Sequence, residues 1–222
     1  LYEAAESNYR LEEYDAALAL VKQLNDQYPE CSDRTAAKAA LLKGDIAANR
    51  ADYSDAVPSF RKAWKLAPQT PDGRAGYGRL GDMYFSMAST SSEADEQEDY
   101  HKKALECFSK LSKIEDISSR LRHKAFYRKA KTLEKMDRTE AAIRNYLDLI
   151  YGYEVENRDK KKLADWYYIE RAGFDVCDLL IQQERLREAA RIYERLARFG
   201  TPASEEAAQR GAELRETHNL DG

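Results

Sequence analysis

The sequence predicts an all-α protein in which about five antiparallel helix hairpins stack into a right-handed α-solenoid that ends in a capping helix. Three observations support this prediction. The composition favours helix, an alanine-centred motif recurs along the chain, and a small residue precedes most copies of that motif by a fixed distance.

The composition is that of a globular chain rich in helix formers. Of 222 residues, 43% are hydrophobic and 34% are charged, a balance that can support a packed core. Only 10 glycines and 5 prolines are present, whereas Ala, Leu, Glu, Lys and Arg are abundant. The formal net charge of -4 disfavours general binding to nucleic acid, because an acidic surface repels a phosphate backbone.

The recurring motif is an alanine followed by two apolar residues on the same helical face. An aromatic or branched aliphatic residue comes four positions after the alanine, and an apolar or small residue comes seven positions after it. We expect the alanine to admit a neighbouring helix and the larger side chain to fill the space beside it. The copies are Ala17 with Val21 and Leu24, Ala56 with Phe60 and Ala63, Ala104 with Phe108 and Leu111, Ala142 with Tyr146 and Leu149, and Ala189 with Tyr193 and Leu196.

Another helix is predicted before each copy, so that each repeat has a first helix, A, and a second helix, B. A small residue stands twelve positions before the motif alanine at Ala5, Gly44, Ala130 and Cys177, and an insertion displaces the corresponding Gly81 in the third copy. We expect Gly44 and Gly81 to lie where the two helices of a hairpin cross.

Together these patterns resemble the tetratricopeptide repeat (TPR) signature. The A-helix part is clearest at Tyr77-x-x-Leu80-Gly81-x-x-Tyr84, and the B-helix part at Tyr53-x-x-Ala56-x-x-x-Phe60-x-x-Ala63-x-x-x-x-Pro68. The motif alanines are 39, 48, 38 and 47 residues apart, against about 34 in the standard repeat. We therefore expect longer helices, with insertions at residues 88–99 and 150–165.

The resemblance implies a single domain over residues 1–222. The predicted repeats are 1–32, 33–70, 71–116, 117–153 and 160–200, and the predicted capping helix is 202–217, with Thr201 as its N-cap and Pro202 in its first turn.

A narrower resemblance rests on Tyr28-Pro29-Glu30, followed by Gly44 and Asp52-Tyr53. These features are similar to the long-helix repeats of bacterial cell-envelope proteins, namely outer-membrane-assembly lipoproteins and the periplasmic coordinator of the Tol-Pal system. The resemblance implies a periplasmic or envelope scaffold. Because the chain begins at Leu1 in a helical pattern, we expect it to be part of a longer protein, whose compartment its own sequence does not specify.

No catalytic, cofactor-binding or metal-binding residue is predicted. Gly76-Tyr77-Gly78-Arg79-Leu80-Gly81 matches GxGxxG formally, but it follows a loop instead of a strand and already fits the repeat signature. The three histidines have no metal-ligand spacing, and we expect them at the surface. We expect Cys107 and Cys177 to be buried and Cys31 to be the most accessible of the three cysteines.

Residues 89–99 form a low-complexity acidic segment. It is expected to be a mobile loop whose last carboxylates favour the next helix N-terminus, an acidic docking element or a cation site.

The TPR resemblance implies a binding groove lined by the A helices. The residues assigned to it are Asp45, Asn49, Arg79, Asp82, Lys124, Arg128, Lys131, Lys135 and Asp178. Four of them, the cations from Lys124 to Lys135, form one stripe opposite the predicted core face of their helix. The stripe is either a solvated face or an anchor for an acidic partner segment. Trp166, Tyr167 and Tyr168 cannot all face the core of one helix, so they are either candidate interface aromatics or a cover for a longer helix of the next hairpin.

The function predicted is that of a non-catalytic scaffold or adaptor, which binds a peptide or protein segment along the groove. The alternatives are the α-solenoid part of an enzyme, which would need clustered titratable residues in a pocket, and a helical-repeat RNA-binding protein, which would need a basic surface throughout. Neither a cofactor nor a nucleic acid partner is expected, no membrane span is predicted, and the oligomeric state is open.

Overall fold

The computed structural model describes residues 1–157 and 165–220, and it is all-α over that part of the chain. Eleven helices are present in the described residues, and they form two compact units. Unit 1, Leu1–Ile117, contains α1 (Tyr2–Arg10), α2 (Tyr14–Gln27), α3 (Asp33–Asn49), α4 (Tyr53–Leu66), α5 (Pro71–Thr90) and α6 (Ala94–Ser112). Unit 2, Ser118–Gly222, contains α7 (Ser119–Lys135), α8 (Thr139–Asn157), α9 (Tyr167–Gln182), α10 (Leu186–Ala197) and α11 (Ser204–His218).

Each unit is a series of helix hairpins. In unit 1 the hairpins are α1/α2, α3/α4 and α5/α6, and the A helices α1, α3 and α5 also contact one another in that order. In unit 2 the hairpins are α7/α8 and α9/α10, α7 contacts α9, and α11 packs on α10. This order of helices is the predicted one: five hairpins and a terminal helix.

The packing motif occupies the positions that the sequence predicts. All five motif alanines are fully buried, and the large side chains four residues after them are buried too. A Cβ built on Gly44 would lie 2.5 Å from Phe60, and one on Gly81 would lie 2.7 Å from Phe108. The glycines of α3 and α5 therefore give room to the aromatic rings of α4 and α6, as expected.

Four of the five hairpins turn through the same backbone conformation. Glu12, Ala51, Asp137 and Glu184 have left-handed φ values of 62°, 55°, 56° and 60°. The residue after each donates its backbone N–H to the carbonyl five positions earlier, as Asp52 does to Ala47 at 2.9 Å. This arrangement satisfies the open carbonyls at the end of an A helix, and its recurrence is independent evidence of a repeat.

The helices begin with side-chain caps at several junctions. Ser32, Asp52, Thr70 and Ser118 each accept a hydrogen bond from the backbone N–H three residues on. These caps satisfy N–H groups that have no partner within the helix.

The insertion expected at residues 88–99 does not form a loop. The helix α5 continues to Thr90, and α6 begins at Ala94, so only Ser91–Glu93 connect them. The acidic residues extend α6 by an extra turn, where Glu98 pairs with Lys102 at 2.7 Å and Asp99 pairs with Lys103 at 2.5 Å. The expectation of a mobile loop is therefore wrong, because i,i+4 pairs and a favourable helix N-terminus stabilise helix there.

The second insertion is described only in part. The helix α8 continues through residues 150–157, beyond the predicted end of its repeat at 153. The run Lys160-Lys161-Lys162 lies outside the described residues.

The terminal helix α11 begins later than predicted, at Ser204, and Thr201 is not its N-cap. The Glu170 carboxylate of α9 accepts the Ala203 N–H at 2.8 Å, and Ser204 Oγ accepts the Thr201 N–H at 2.9 Å. A carboxylate from another helix thus takes the role that the sequence assigned to a local threonine.

Candidate protein-binding surfaces

The A-helix surface of unit 1 contains a buried carboxylate that holds an arginine. Asp45 on α3 is 7% exposed, and its Oδ1 lies 2.9 Å from a guanidinium nitrogen of Arg79 on α5. The Arg79 side chain remains 47% exposed. This ion pair leaves about half of the Arg79 side chain accessible from solvent.

The other predicted groove residues of unit 1 lie farther along the same helices. Asn49 is exposed near the end of α3, where its Nδ2 donates to the Tyr9 hydroxyl at 3.2 Å and the Tyr14 hydroxyl at 3.4 Å. Asp82 is half-buried on α5. Asn49 therefore joins the first two hairpins in addition to facing solvent.

Tyr2 is partly buried near three carboxylates of this surface. Its pKa is raised to about 12, first by burial and then by the carboxylates of Glu6, Asp72 and Asp45. The Lys38 ammonium lies 5.4 Å from the centre of the Tyr2 ring, within the range of a cation–π contact. Tyr2 was not identified from the sequence, since its position becomes informative only when α1, α3 and α5 are placed side by side.

The cations of the stripe on α7 in unit 2 are not all solvated. Lys131 is three-quarters buried, and its ammonium lies 3.0 Å from Glu134 and 3.7 Å from Asp175 on α9. Lys124 and Arg128 are half-buried, and Lys135 is exposed. The stripe was predicted from α7 alone, whereas carboxylates on α7 and α9 already neutralise its third member.

A polar network extends from Lys131 across the same surface. The Tyr146 hydroxyl donates to Glu134 at 3.0 Å. Asp178, a predicted groove residue, is exposed on α9, and partial desolvation raises its pKa above the ordinary value. The carboxylates of Asp175 and Glu134 add to that rise, while Arg210 and Lys131 oppose it.

The three adjacent aromatics occupy different environments. Trp166 is the N-cap residue of α9 and is half-buried, so the assumption that all three lie within the helix is wrong. Tyr168 packs on Tyr127 with ring centres 5.6 Å apart. Tyr167 is 50% exposed, and its hydroxyl accepts a hydrogen bond from Arg171 at 2.6 Å. Tyr167 is thus the accessible aromatic of the three.

The GxGxxG segment is internal to α5 and serves helix packing. A Cβ on Gly76 would lie 2.9 Å from Ala63 Cβ on α4, and one on Gly81 would lie 2.7 Å from the Phe108 ring on α6. These glycines face a neighbouring helix, as the repeat signature predicts, and they do not form a phosphate-binding turn.

The histidines and cysteines are mostly buried. His101 and His123 lie in the packed interior, which contradicts the expected surface position, whereas His218 is exposed. His101 meets Phe85 edge-on and His123 meets Tyr153 edge-on, with ring centres 5.9 Å and 5.7 Å apart. Cys107 and Cys177 are buried and Cys31 is half-buried, as expected.

A cavity of about 840 Å³ lies between the start of α1, the end of α2 and the start of α3. Its lining includes Tyr2, Leu24, Tyr28, Cys31 and Lys38, and no histidine. Cys31 therefore lacks an imidazole base there. Within residues 1–157 and 165–220 no cluster of three His, Cys, Asp or Glu side chains has metal-binding geometry. None of the described helices is long and apolar enough to cross a membrane.

Comparison with known proteins identifies the class of fold. No protein-family model matches the sequence, and no curated protein matches it. The solved structures similar to this chain include TPR proteins, so the architecture is that of a TPR-type helical repeat.

The particular neighbours cover nearly the whole chain at low identity. A thermophilic TPR protein of Thermus thermophilus, TTC0263, is 17% identical, with 96% of each chain covered and a TM-score of 0.55. The nearly identical TPR-like repeats of a putative kinesin light chain from Podospora anserina are 9% identical, covering 99% of this chain and 94% of that one, with a TM-score of 0.59. BtubC (BKLC) from P. vanneervenii is 15% identical, covering 98% of this chain and 91% of that one, with a TM-score of 0.57. At these identities the similarity concerns the fold alone.

Proposed function

We propose that this chain is a non-catalytic scaffold that binds a peptide or protein segment on the A-helix surfaces of its hairpins. The observation that carries the proposal is the ion pair of Asp45 and Arg79. A buried carboxylate on α3 lies 2.9 Å from a half-exposed guanidinium on α5, so the pair joins two neighbouring A helices and leaves a cation accessible. A preorganised, partly accessible arginine is a common anchor at protein interfaces.

The proposed contact residues are those assigned to the groove from the sequence. In unit 1 they are Asp45, Asn49, Arg79 and Asp82, and in unit 2 they are Lys124, Arg128, Lys131, Lys135 and Asp178, with Tyr167 as the accessible aromatic. We propose that an acidic segment of the partner binds on α7. Lys131 holds Glu134 and Asp175. Of the other three cations of the stripe only Lys135 is exposed, so its charge is the most accessible to the partner.

The test begins with peptides selected from a random display library on the whole chain, whose affinities are then measured in solution. The variant Arg128→Glu/Lys135→Glu should weaken acidic peptides by about tenfold, because attraction becomes repulsion. The control Arg144→Glu/Arg191→Glu makes the same charge change at exposed positions on the B helices α8 and α10, and it should have little effect. Equal binding by the parent and both variants would remove α7 from the proposed surface.

A narrower proposal places this scaffold in assembly of the bacterial cell envelope. Its support is the Tyr28-Pro29 junction between α2 and α3, on which the resemblance to envelope repeat proteins rests. Fractionation of source cells with an antibody against the chain tests it, and recovery only outside the envelope and periplasm would refute it.

A further inference from the structure

Unit 1 has another charged surface, on the side where the B helices α4 and α6 both pack on α5. Tyr77 and Tyr84 lie seven residues apart on α5 and hence on one face of that helix. Trp64 of α4 stacks on Tyr77 with ring centres 4.4 Å apart, and Tyr100 of α6 stacks on Tyr84 at 6.4 Å. The aromatic side chains thus form two adjacent layers across the three helices.

Three cationic side chains contact these aromatic layers. The Lys110 ammonium lies 5.2 Å from the Trp64 ring centre and 5.6 Å from that of Tyr77. The Lys103 ammonium lies 5.8 Å from the Tyr84 ring centre and 5.4 Å from that of Tyr100. Arg61 donates a hydrogen bond to the Tyr84 hydroxyl at 2.6 Å. We call Arg61, Lys103 and Lys110 the cationic strip.

The charges of the strip are only partly neutralised. Lys103 pairs with Asp99 at 2.5 Å. In the described residues no ion pair joins Arg61 or Lys110 to a carboxylate, although Glu106 stands one turn before Lys110 on α6. Arg61 contacts Tyr84 and Lys110 contacts Tyr77, so both cations lie against the aromatic face of α5. Contacts with aromatic rings orient a cation without cancelling its charge.

We propose that the cationic strip is a second protein-interaction surface, distinct from the A-helix surface, which binds an acidic segment of a partner polypeptide. The strip offers positive charges about 10 Å apart, the rise of seven helical residues. Carboxylates three residues apart in a segment of polyproline II conformation lie on one face and span a similar length, about 9 Å. An acidic polypeptide therefore matches both the charge and the spacing of the strip.

A single-stranded nucleic acid is the other polyanion to consider, and the aromatic rings disfavour it. Base stacking requires an accessible aromatic face. Tyr77 and Tyr84 are buried, one face of Trp64 is stacked on Tyr77, and Lys110 lies over the Trp64 ring. The strip therefore presents charge to a ligand, and few faces on which a base could stack.

The experiment measures fluorescence anisotropy of labelled decaglutamate with the whole chain, at low salt and at about 0.15 M salt. The parent should bind the probe, and Arg61→Gln/Lys110→Gln should weaken binding about fivefold through the loss of two exposed charge contacts. The control Lys62→Gln/Lys102→Gln removes the same net charge from α4 and α6 at exposed positions that contribute no ring contact to the strip. It should change binding less than about twofold. Circular dichroism melting confirms that each variant is folded.

Three results would overturn the proposal. These are the absence of binding by the parent, an equal loss in the control, and tighter strip-dependent binding of labelled decathymidylate than of decaglutamate. The last would identify a nucleic acid surface. The double variant Arg128→Glu/Lys135→Glu should bind decaglutamate more tightly than Arg61→Gln/Lys110→Gln does, so failure of this proposal is distinguishable from failure of the A-helix proposal.

Discussion

At the crossing of α5 and α6, a methyl group added to Gly81 would lie 2.7 Å from the Phe108 ring and 3.1 Å from Cys107 Cβ. We therefore predict that Gly81→Ala destabilises the protein by roughly 1–3 kcal/mol, because the ring must shift within a packed interior. Gly152, exposed on α8, has no atom within 4 Å of its Cβ position. The control Gly152→Ala should stabilise by up to about 1 kcal/mol through helix propensity. Urea unfolding of both variants measures the two effects, and changes of the same sign would contradict the assigned helix contact.

The cysteines should differ sharply in reactivity. Burial raises the pKa of the Cys107 thiol to about 12 and also raises that of Cys177. Because the thiolate is the nucleophile, we predict that iodoacetamide at about pH 8 modifies Cys31 and leaves the other two unmodified in the native protein. Peptide mass spectrometry identifies the modified positions. All three should react in urea, and fast native modification of Cys107 would show that α6 opens readily.

The histidines show which sequence argument failed at this scale. His101 and His123 have basic neighbours in the sequence, and that composition suggested a surface position. However, His101 stands three residues before Ala104, and His123 stands seven before Ala130, so each shares the packed face of its helix. Helical periodicity, the argument that located the motif alanines, would have placed both histidines correctly.

At the scale of helices, the order of hairpins could be predicted because it depends on local spacing. The backbone conformation of the turns between the helices could not be predicted. Glu12, Ala51, Asp137 and Glu184 adopt a left-handed φ that glycine or asparagine normally signals, and none of the four is either residue. Here the packing of the two helices determines the conformation of the turn. The free energy gained from that packing offsets the intrinsic cost of the left-handed backbone.

The start of α11 gives a prediction of its own. Glu170→Ala removes the carboxylate that accepts the Ala203 N–H, so it should lower stability by about 1–2 kcal/mol. Thr201→Ala should cost less, because that side chain does not cap the helix. Thermal unfolding measures the stability of both variants. A larger loss of stability for Thr201→Ala would show that Thr201 caps the helix, as the sequence predicted.

At the scale of the whole molecule, the charge pattern of the candidate surfaces shows how far sequence reasoning extends. It assigned Asp45 and Arg79 to one groove, but it could not show that they pair. It also found the α7 stripe without the Asp175 carboxylate from α9. Both pairings depend on how one hairpin packs on the next. Residues about 40 positions apart in the sequence determine the charge that a partner meets, and helical periodicity carries no information about such contacts.

Buried tyrosines make stability sensitive to alkaline pH throughout the molecule. Burial is the largest cause that raises the pKa of Tyr2, Tyr127 and Tyr153 from 10.0 to about 12, and it also raises those of Tyr77, Tyr146 and Tyr193. Above about pH 10 the unfolded chain releases these phenolic protons while the folded chain retains them. The unfolded state then binds fewer protons, so the free energy of unfolding must fall as pH rises.

We therefore predict that stability is highest below about pH 10 with respect to these groups, and that it falls progressively between pH 10 and about 12. Urea unfolding across this interval measures the fall, and ultraviolet absorbance of tyrosinate measures ionisation. The urea-unfolded chain, in which all 15 tyrosines are accessible, is the control. In the native protein, part of the tyrosinate signal should appear only when the helical circular dichroism is lost. The reason is that the buried hydroxyls, such as that of Tyr146, which donates to Glu134, are not accessible before unfolding. If every tyrosine ionised near pH 10 while the helical signal stayed intact, the tyrosines would be solvated in the native state, and the packing described for both units would be wrong.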